Sequence, residues 1–376
     1  MSRASLLIIT SESITTYAGD ALSAFTFAKA MQNYLPVTFC SYSVTGCENG
    51  YYEQDGVSFF TIYYKGTRLS SKLISRLRLL WRLFLIGRNH EIWLIYGLLP
   101  GALLVLILGR LTGRKVIFRP TLFGFDDLSR RSLRNEIITY LSSGFYIRNR
   151  SLASRDLKRR KASLTFFSSQ GVDTTRFYPF KDDAWRDYFY KEHGLLLDQP
   201  IILMVGHLSK RKGFSEIASW INALPYNPIL LHVGMNKENP CEQALLREVG
   251  KILGNRFIGI EPTQDIEKYY QLSTLFLMAS YAEGFPSNAI LEAMACGLPV
   301  LCRRIEGVDD YLYNNFNAVL YSNFEEFEQG YRKLISKGSF AQDISKNALL
   351  SISEKHDVRM IAKDFVAFLK SLNVKV

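Results

Sequence analysis

Short apolar segments alternate with helical patterns along most of this sequence, and the alternation restarts in the second half. The first segment, Leu6–Thr10, is typical of a strand that is buried on both faces of a parallel sheet. The other predicted strands are residues 36–40, 57–63, 92–96, 115–118, 200–206, 229–233, 257–260, 275–278 and 299–302. Alternation of this kind predicts an α/β fold with two Rossmann-like domains, joined near residues 180–199.

Composition excludes several classes of protein. The length of 376 residues suits two domains, and 48% hydrophobic with 22% charged residues is not the composition of a disordered chain. The five cysteines form no CxxC pair and no cluster with histidine, which argues against a disulfide scaffold or a structural zinc site and favours a reduced cytosolic compartment. The N-terminal apolar run is too short for a signal peptide, so we expect an intracellular protein.

The net charge of +11 is concentrated in one part of the chain. Residues 65–161 carry 21 Lys and Arg against 5 Asp and Glu, so the remaining residues are slightly acidic. Such a stretch attracts polyanions, which leaves three partners open: a membrane with anionic lipids, a nucleic acid or a phosphorylated substrate. A solvated basic face without a specific partner is the fourth interpretation.

Residues 72–88 lie inside this stretch and predict a basic amphipathic helix. Leu73, Leu77, Leu80 and Phe84 share one face, flanked by Ile74, Trp81 and Leu85, while Lys72, Arg76, Arg78 and Arg82 lie opposite. The pattern fits a membrane-surface anchor, and it equally fits a surface helix that packs on the sheet. Residues 92–109 are uncharged, but the glycines and proline within them favour a strand, a turn and a buried helix over a membrane span.

The densest functional pattern covers residues 280–300. A strand is predicted to end near Ser280, a glycine-containing loop follows, and a helix begins at Ser287 or Asn288. The backbone N–H groups at such a helix N-terminus can bind an anion. Glu283 would lie in the loop near a bound phosphate. Glu292 would lie within the helix, where its carboxylate can accept hydrogen bonds from sugar hydroxyls.

A second loop, residues 205–213, follows a predicted strand and precedes a helix. It places Lys210, Arg211 and Lys212 at the same edge of the sheet. Lys212, just before Gly213, can direct its ammonium group at a diphosphate. The two loops together predict a positively charged pocket for a nucleoside diphosphate.

These residues resemble the retaining nucleotide-sugar glycosyltransferases of family 4, which have the GT-B fold: two Rossmann-like domains that face each other across a cleft. The resemblance rests on residues 171–179, 206–213 and above all 280–300, with the sequence EGFP…LEAMACGLPV. It implies an acceptor-binding domain over residues 1–180 and a nucleotide-sugar-binding domain over 181–358. A C-terminal helix over 359–376 would pack back toward the first domain.

The resemblance also implies roles for individual residues. Glu283 and Lys212 would be catalytic, with Lys212 on the diphosphate and Glu283 near the transferred sugar. The implied donor-binding residues are His207, Arg211, Lys212, Ile260, Gly284, Phe285, Pro286, Ser287 and Glu292. The implied residues on the acceptor side of the cleft are Gly19, Asp20, Thr121 and Phe123. His207 stands where the family has an arginine, and one residue more than in the family separates Glu283 from Glu292.

The implied reaction is hexosyl transfer, with retention, from a UDP- or GDP-sugar to a hydroxyl of a glycan or lipid-linked acceptor. Such enzymes build cell-surface polysaccharides, so we expect a protein bound peripherally to the inner face of the cell membrane through residues 72–88. No cofactor or metal is expected, because Asp126-Asp127 and Asp309-Asp310 are isolated pairs. Two alternatives are a nucleic-acid-modifying sugar transferase and a non-catalytic nucleotide-sugar-binding protein. Few exposed aromatics accompany the basic residues, so nucleic acid is the less favoured partner.

Overall fold

The computed structural model describes residues 4–10, 19–43, 50–63, 69–97, 102–121, 128–129, 132–153, 164–180, 182–196, 199–336 and 338–376. The chain divides into two compact units. Unit 1 comprises residues 1–171 together with 355–376, and unit 2 comprises residues 172–354.

The strands within the described residues are β1 (Leu6–Thr10), β2 (Val37–Ser43), β3 (Gly50–Gln54), β4 (Val57–Tyr63), β5 (Ile92–Tyr96), β6 (Lys115–Arg119), β7 (Gly144–Ile147), β8 (Thr165–Phe167), β9 (Ile201–Val205), β10 (Ile229–Val233), β11 (Phe257–Ile260), β12 (Leu275–Met278), β13 (Val300–Arg303) and β14 (Val319–Tyr321). Their α-helices are α1 (Gly19–Met31), α2 (Leu69–Gly87), α3 (Ala102–Leu111), α4 (Leu133–Leu141), α5 (Asp183–Glu192), α6 (Phe214–Asn222), α7 (Pro240–Leu253), α8 (Ile266–Leu272), α9 (Asn288–Ala295), α10 (Phe324–Ile335), α11 (Phe340–Lys355) and α12 (Val358–Ser371).

Unit 1 is built on a sheet with the strand order β3-β4-β2-β1-β5-β6-β7-β8. All neighbouring strands are parallel except β3 and β4, which form an antiparallel pair. Strands β1 and β5 are buried at every residue, which is why they appear in the sequence as unbroken apolar runs. Strand β3 was not predicted, although Asp55 and Gly56, both with positive φ, form the two-residue connection of a β-hairpin.

Unit 2 is built on a fully parallel sheet with the order β11-β10-β9-β12-β13-β14. The chain starts at β9 in the middle, runs outward to β11, and then crosses back to β12 on the other side of β9. The carboxyl ends of β9 and β12 are therefore neighbours at the point where the strand order reverses. Ligands of open α/β sheets bind at such points.

The boundaries between the units differ from the predicted ones. They lie at 171/172 and 354/355 rather than at 180/181 and 358/359, and the helix Asp183–Glu192 lies where the linker was predicted. Val172 and Phe177 already belong to the hydrophobic core of unit 2, where they pack with Phe189 of α5. The segment around α5 is therefore part of unit 2, because its apolar side chains complete that core.

The last helix, α12, belongs to unit 1. Phe365 packs edge-on against Phe27 of α1, with ring centroids 5.2 Å apart, and also contacts Tyr146 of β7. Where the chain leaves and re-enters unit 1, Ser169 Oγ lies 3.0 Å from His356 Nδ1. Unit 1 is therefore formed from the first and last segments of the sequence, and unit 2 from the segment between them in sequence.

Helix α2 forms where the sequence predicts a basic amphipathic helix. Among the side chains of α2 that the structure describes, Leu83 is buried and Leu80 is half-buried. Leu77 and Phe84, which lie on the apolar face that the sequence predicts, are 58% and 38% exposed. Within the described residues no helix has the length and apolar character needed to cross a membrane. The uncharged run forms β5 and α3, as predicted.

We expect Gly171→Ala to destabilise unit 1. Gly171 has a φ of 80°, and a Cβ there would lie 2.8 Å from the Cα of Val358. The left-handed backbone and the clash together should lower the free energy of unfolding by about 2–4 kcal/mol. Gly113→Ala is the matched control, because its φ is 73° with nothing within 4 Å of the added Cβ. Urea denaturation followed by circular dichroism measures both, and equal losses would show that the clash is relieved without cost.

Candidate functional site

The candidate site lies at the carboxyl edge of the sheet in unit 2, where β9 and β12 end side by side. A 3-10 turn, Lys210–Lys212, follows β9. Gly213 comes next with a φ of 72°, and a Cβ there would lie 2.6 Å from the carbonyl oxygen of Ala279, just after β12. The backbone N–H of Tyr281 donates to the carbonyl of Arg211 at 2.9 Å. These contacts fix the loop after β9 against the loop after β12.

Glu283 joins the same two loops through its side chain. Its Oε1 lies 2.7 Å from Nζ of Lys212, and its Oε2 lies 3.0 Å from Nη1 of Arg211. Ser280 Oγ donates to Glu283 Oε1 at 2.8 Å, and Arg211 donates to the carbonyl oxygen of Ala282. The structure therefore brings together three of the residues that the sequence analysis selected.

The ion pairs determine the protonation state of Glu283. Burial by itself would raise the pKa of this carboxyl, but the charges of Lys212 and Arg211, with hydrogen bonds from Lys212 and Ser280, outweigh it. The pKa of Glu283 is therefore lower than usual, and the side chain is ionised at neutral pH. One carboxylate faces two cations, so the cluster keeps a net positive charge that can attract an anion.

Helix α9 begins in this loop. Of the two predicted N-caps it is Ser287 that caps the helix, and Ser287 Oγ accepts a hydrogen bond from the backbone N–H of Ile290 at 3.4 Å. Phe285 is buried in the core of unit 2 and anchors the loop between Gly284 and Pro286. The N-terminal turn of α9 adds partial positive charge at the edge of the sheet where Lys212 lies.

Glu292 lies one turn into α9 and is half-buried. Tyr270 of α8 donates its hydroxyl hydrogen to Glu292 Oε2 at 2.8 Å. Burial raises the pKa of Glu292, and the hydrogen bond from Tyr270 and the charge of Arg176 act in the opposite direction. Burial and the neighbouring Glu292 raise the pKa of Tyr270 well above its usual value, so the phenol stays protonated and can donate. The sequence analysis missed Tyr270, because only the fold brings α8 next to α9.

His207 follows β9 and is exposed, with Nδ1 3.9 Å from Oε1 of Glu242. Glu242 itself is buried in the first turn of α7. Its Oε2 accepts hydrogen bonds from the backbone N–H groups of Leu208 at 3.2 Å and Asn236 at 2.8 Å. Glu242, which the sequence analysis did not single out, therefore links the loops that follow β9 and β10.

Ile260 ends β11, two strands away from β9 in the same sheet. Its carbonyl oxygen accepts hydrogen bonds from the backbone N–H groups of Gly234 at 2.9 Å and Met235 at 3.2 Å. Since the sheet is parallel, Ile260 lies at the same carboxyl edge as His207 and Glu283.

Arg303 supports the loop after β12 from the neighbouring strand, β13. It was not among the residues predicted from the sequence. It ends β13, is 8% exposed, and donates through Nε to the carbonyl of Ala279 at 2.9 Å. Its guanidinium also pairs with Glu216 of α6 and lies 4.6 Å from the ring centroid of Tyr281. The Tyr281 hydroxyl donates to the same Glu216 carboxylate at 3.0 Å. The sequence does contain a signal for Arg303, because a charged residue at the end of a buried strand needs a partner in the fold.

The predicted acceptor residues lie in unit 1. Gly19 and Asp20 form the first turn of α1, and the carbonyl oxygen of Thr121 follows β6. Arg148 connects these positions, since its guanidinium donates to the Thr121 carbonyl and lies 3.8 Å from Asp20 Oδ1. Phe123 lies outside the described residues.

No group of three His, Cys, Asp or Glu side chains in the described parts of the chain is arranged to hold a metal ion. Asp309 pairs instead with Arg304 at 3.6 Å. The Asp126-Asp127 pair lies outside the described residues. A reaction without a metal ion stays a prediction.

Residues 186–350 match the protein family described as Glycosyl transferases group 1. The N,N'-diacetylbacillosaminyl-diphospho-undecaprenol alpha-1,3-N-acetylgalactosaminyltransferase of Campylobacter jejuni is 24% identical over 217 residues, 56% of this chain and 55% of that protein. The capsular polysaccharide biosynthesis glycosyltransferase CapM of Staphylococcus aureus is 24% identical over 226 residues, 57% of each chain. This chain thus spans about half the length of these curated relatives.

Among solved structures, Anabaena Alr3699/HepE in complex with UDP and glucose is similar to the whole chain. The TM-score is 0.74 at 19% sequence identity, and the match covers 98% of this chain and 100% of that chain. A likeness at this identity shows the fold. The predicted α/β fold of the GT-B type is confirmed.

We expect the ion pairs of Glu283 to stabilise the protein at neutral pH but not in acid. Because the folded-state pKa of Glu283 is lowered, its stabilisation is complete above the usual value of 4.5 and is lost as the pH falls through the lower folded pKa. Glu283→Gln should therefore lower the free energy of unfolding by about 1–3 kcal/mol at pH 7, and by much less at pH 3. The exposed Glu306→Gln is the control. Denaturant unfolding at both pH values measures the free energy of unfolding. A loss of stability that is the same at pH 7 and pH 3 would contradict the ionised, ion-paired state of Glu283.

Proposed function

We propose that this chain, whose residues 186–350 match the glycosyl transferases of group 1, transfers a hexose from a UDP- or GDP-sugar to a hydroxyl of a glycan or lipid-linked acceptor. The observation that carries the proposal is the pairing of Lys212 and Arg211 with Glu283 where β9 and β12 diverge. The names of the similar proteins agree with it: one includes a diphospho-undecaprenol and another capsular polysaccharide biosynthesis. The HepE structure holds UDP and glucose.

The two cations and the N-terminus of α9 supply the charge that a leaving diphosphate requires. As the bond between the sugar C1 and the phosphate oxygen breaks, negative charge accumulates on the diphosphate. Lys212 is a compact cation at the base of the loop, and Arg211 can bind two phosphate oxygens at once. Fixed positive groups stabilise that charge without reorganisation during the reaction, which is the largest contribution in many enzymes. This arrangement supports transfer without a metal ion.

The proposed step retains the configuration at C1. The acceptor oxygen bonds to C1 on the face from which the diphosphate departs, and the acceptor hydroxyl proton passes to the departing phosphate oxygen. In this step no protein nucleophile takes part, and Glu283, the nearby carboxylate, is instead engaged by Lys212, Arg211 and Ser280.

Glu283 and Glu292 have different environments and therefore different proposed roles. The carboxylate of Glu283 is ionised and held between cations, so it can accept hydrogen bonds from hydroxyls of the transferred sugar while keeping Lys212 in place. Glu292 uses one oxygen to accept from Tyr270, which leaves Oε1 to accept from a ribose hydroxyl. The donor would then lie along the edge from Ile260, near the base, to Gly284, near the phosphates.

We expect Lys212→Ala to lower kcat by roughly 30–1000-fold, which corresponds to about 2–4 kcal/mol of lost transition-state stabilisation. Lys210→Ala in the same turn is the control, because Lys210 is exposed and does not contact Glu283 in the described structure. Product formation from a panel of UDP- and GDP-sugars measures turnover, and unfolding confirms that both variants are folded. Full activity in folded Lys212→Ala protein would refute the diphosphate role.

We also propose that α2 attaches the protein to an anionic membrane surface. Leu77 and Trp81 are 58% and 62% exposed, and Phe84 and Leu85 are 38% and 39% exposed. Arg78 and Arg82 are exposed on the same helix. Trp81 and Phe84 stack with their ring centroids 6.1 Å apart. An exposed apolar stripe beside arginines fits the boundary between lipid head groups and acyl chains, where a lipid-linked acceptor would be presented.

We expect Arg78→Ser/Arg82→Ser to weaken binding to vesicles that contain anionic lipid by roughly tenfold or more, since each arginine contributes about 1 kcal/mol. Arg247→Ser/Lys251→Ser on α7 is the control, with the same spacing of exposed basic residues on a helix of unit 2. Cosedimentation with anionic and neutral vesicles, at low and high salt, measures binding. Equal binding of both double variants, or binding to duplex DNA in preference to vesicles, would overturn the membrane proposal.

A further inference from the structure

A fully buried arginine lies at the carboxyl edge of the sheet in unit 1. Arg119 ends β6 with 0% exposure, and its guanidinium carbon lies 4.1 Å from the ring centroid of Tyr96 and 4.7 Å from that of Tyr146. None of its three side-chain nitrogens has a hydrogen-bond partner in the described structure. Contacts with aromatic rings offset part of the cost of burying the charge, but they do not satisfy the N–H donors.

A second buried arginine lies beside it, since β7 is the neighbour of β6 and Arg148 follows β7 directly. Arg148 is 4% exposed and donates to Gln170 Oε1 at 3.3 Å and to the carbonyl of Thr121. Its Nη1 is 3.8 Å from Asp20 Oδ1, which is longer than a hydrogen bond. The side chain of Asp20 is about half exposed. Within the described residues, a partly solvated carboxylate therefore lies near two buried positive charges.

Tyr96 adds a further donor at this edge. Its buried hydroxyl also lacks a hydrogen-bond partner in the described structure. Burial raises the pKa of Tyr96, with Arg119 and Arg148 opposing, so the phenol is protonated and can donate. Asp20 lies in the first turn of α1, so the positive end of that helix dipole is at the same place. Unpartnered buried donors are rare, and here they occur on two adjacent strands.

We propose that Arg119, Tyr96 and Arg148 form a binding site for an oxyanion, the phosphate or carboxylate group of the acceptor substrate. A guanidinium presents its N–H donors in a planar fork that matches both groups. Only the identification of the anion as part of the acceptor rests on the function proposed above. The opposing interpretation is that Arg119 merely fills space between two rings, in which case an apolar side chain of similar length would serve as well or better.

The test measures binding of inorganic phosphate and of acetate by calorimetry and by the shift in Tm at physiological salt. It uses the full chain with Lys212→Ala, because that substitution removes the main phosphate ligand of unit 2. We expect this protein to bind phosphate or acetate, and Arg119→Met in the same background to weaken that binding at least about tenfold. Arg119→Lys keeps the charge but not the planar fork of N–H donors. Its affinity for the anion should therefore lie between those of the proteins with Arg119 and with Arg119→Met. Arg110→Met, at an exposed arginine in the last turn of α3, should have no effect.

Two results would overturn the proposal: no binding of either anion by the Lys212→Ala protein, or equal affinity with and without Arg119→Met. If Arg119→Met does not fold, the proteins with Arg119 and with Arg119→Lys are compared instead. An equal affinity of these two proteins for the anion would count against the site. These readouts do not depend on turnover. Failure of the glycosyltransferase proposal would instead appear as a lack of nucleotide-sugar binding by the unsubstituted chain, whatever the anion results.

The source of the oxyanion is distinguished by competition. A hexose phosphate, a uronic acid and the corresponding neutral hexose are each titrated against bound phosphate. Displacement by the hexose phosphate at the lowest concentration indicates a phosphorylated acceptor, and displacement by the uronic acid indicates an acidic sugar. Displacement by the neutral hexose as readily as by either anion would overturn the assignment of an oxyanion site.

Discussion

The ion pairs of Glu283 with Lys212 and Arg211 hold the candidate site of unit 2 together. The loop after β9 carries the cations and the loop after β12 carries the carboxylate, so neither loop alone presents the arrangement. Without Glu283, two adjacent positive side chains would repel each other, and the loop before α9 would lose its tie to the turn. The charge that is proposed to stabilise a leaving diphosphate thus depends on a carboxylate that first keeps the cations in position.

Other contacts restrict the conformation of the loops at this edge of the sheet. Gly213 allows the backbone of the turn to approach Ala279 closely, Arg303 binds the carbonyl of Ala279 from the neighbouring strand, and Glu242 caps two backbone N–H groups behind His207. All are buried or half-buried at the edge of a rigid parallel sheet. Groups held in this way keep their geometry without paying an ordering cost when a ligand binds.

The sequence pattern predicted the features that depend on near neighbours along the chain. The buried strands, the cap at Ser287 and the loop with Glu283 are encoded in short segments, and their positions agree with the structure. It could not predict contacts between distant segments, such as Tyr270 with Glu292 or Arg303 with Glu216. The strand predicted over residues 115–118 stops one residue short of Arg119, because no local pattern shows that an arginine ending a strand is completely buried. The boundary at residue 171 was missed for the same reason, since Val172 is assigned by its core contacts.

The order of the segments has a consequence for how the protein forms during translation. Helix α12 belongs to unit 1, but it is synthesised after all of unit 2. Until it emerges from the ribosome, the rings of Phe27, Tyr146 and Phe166 lack the partners Phe365 and Phe368, so an apolar surface of the first-made unit stays open to water. Unit 2 is continuous in sequence and can complete its core first, although it begins later. Unit 1 can therefore complete its core only after all of unit 2 has been synthesised, although its first strand is made first.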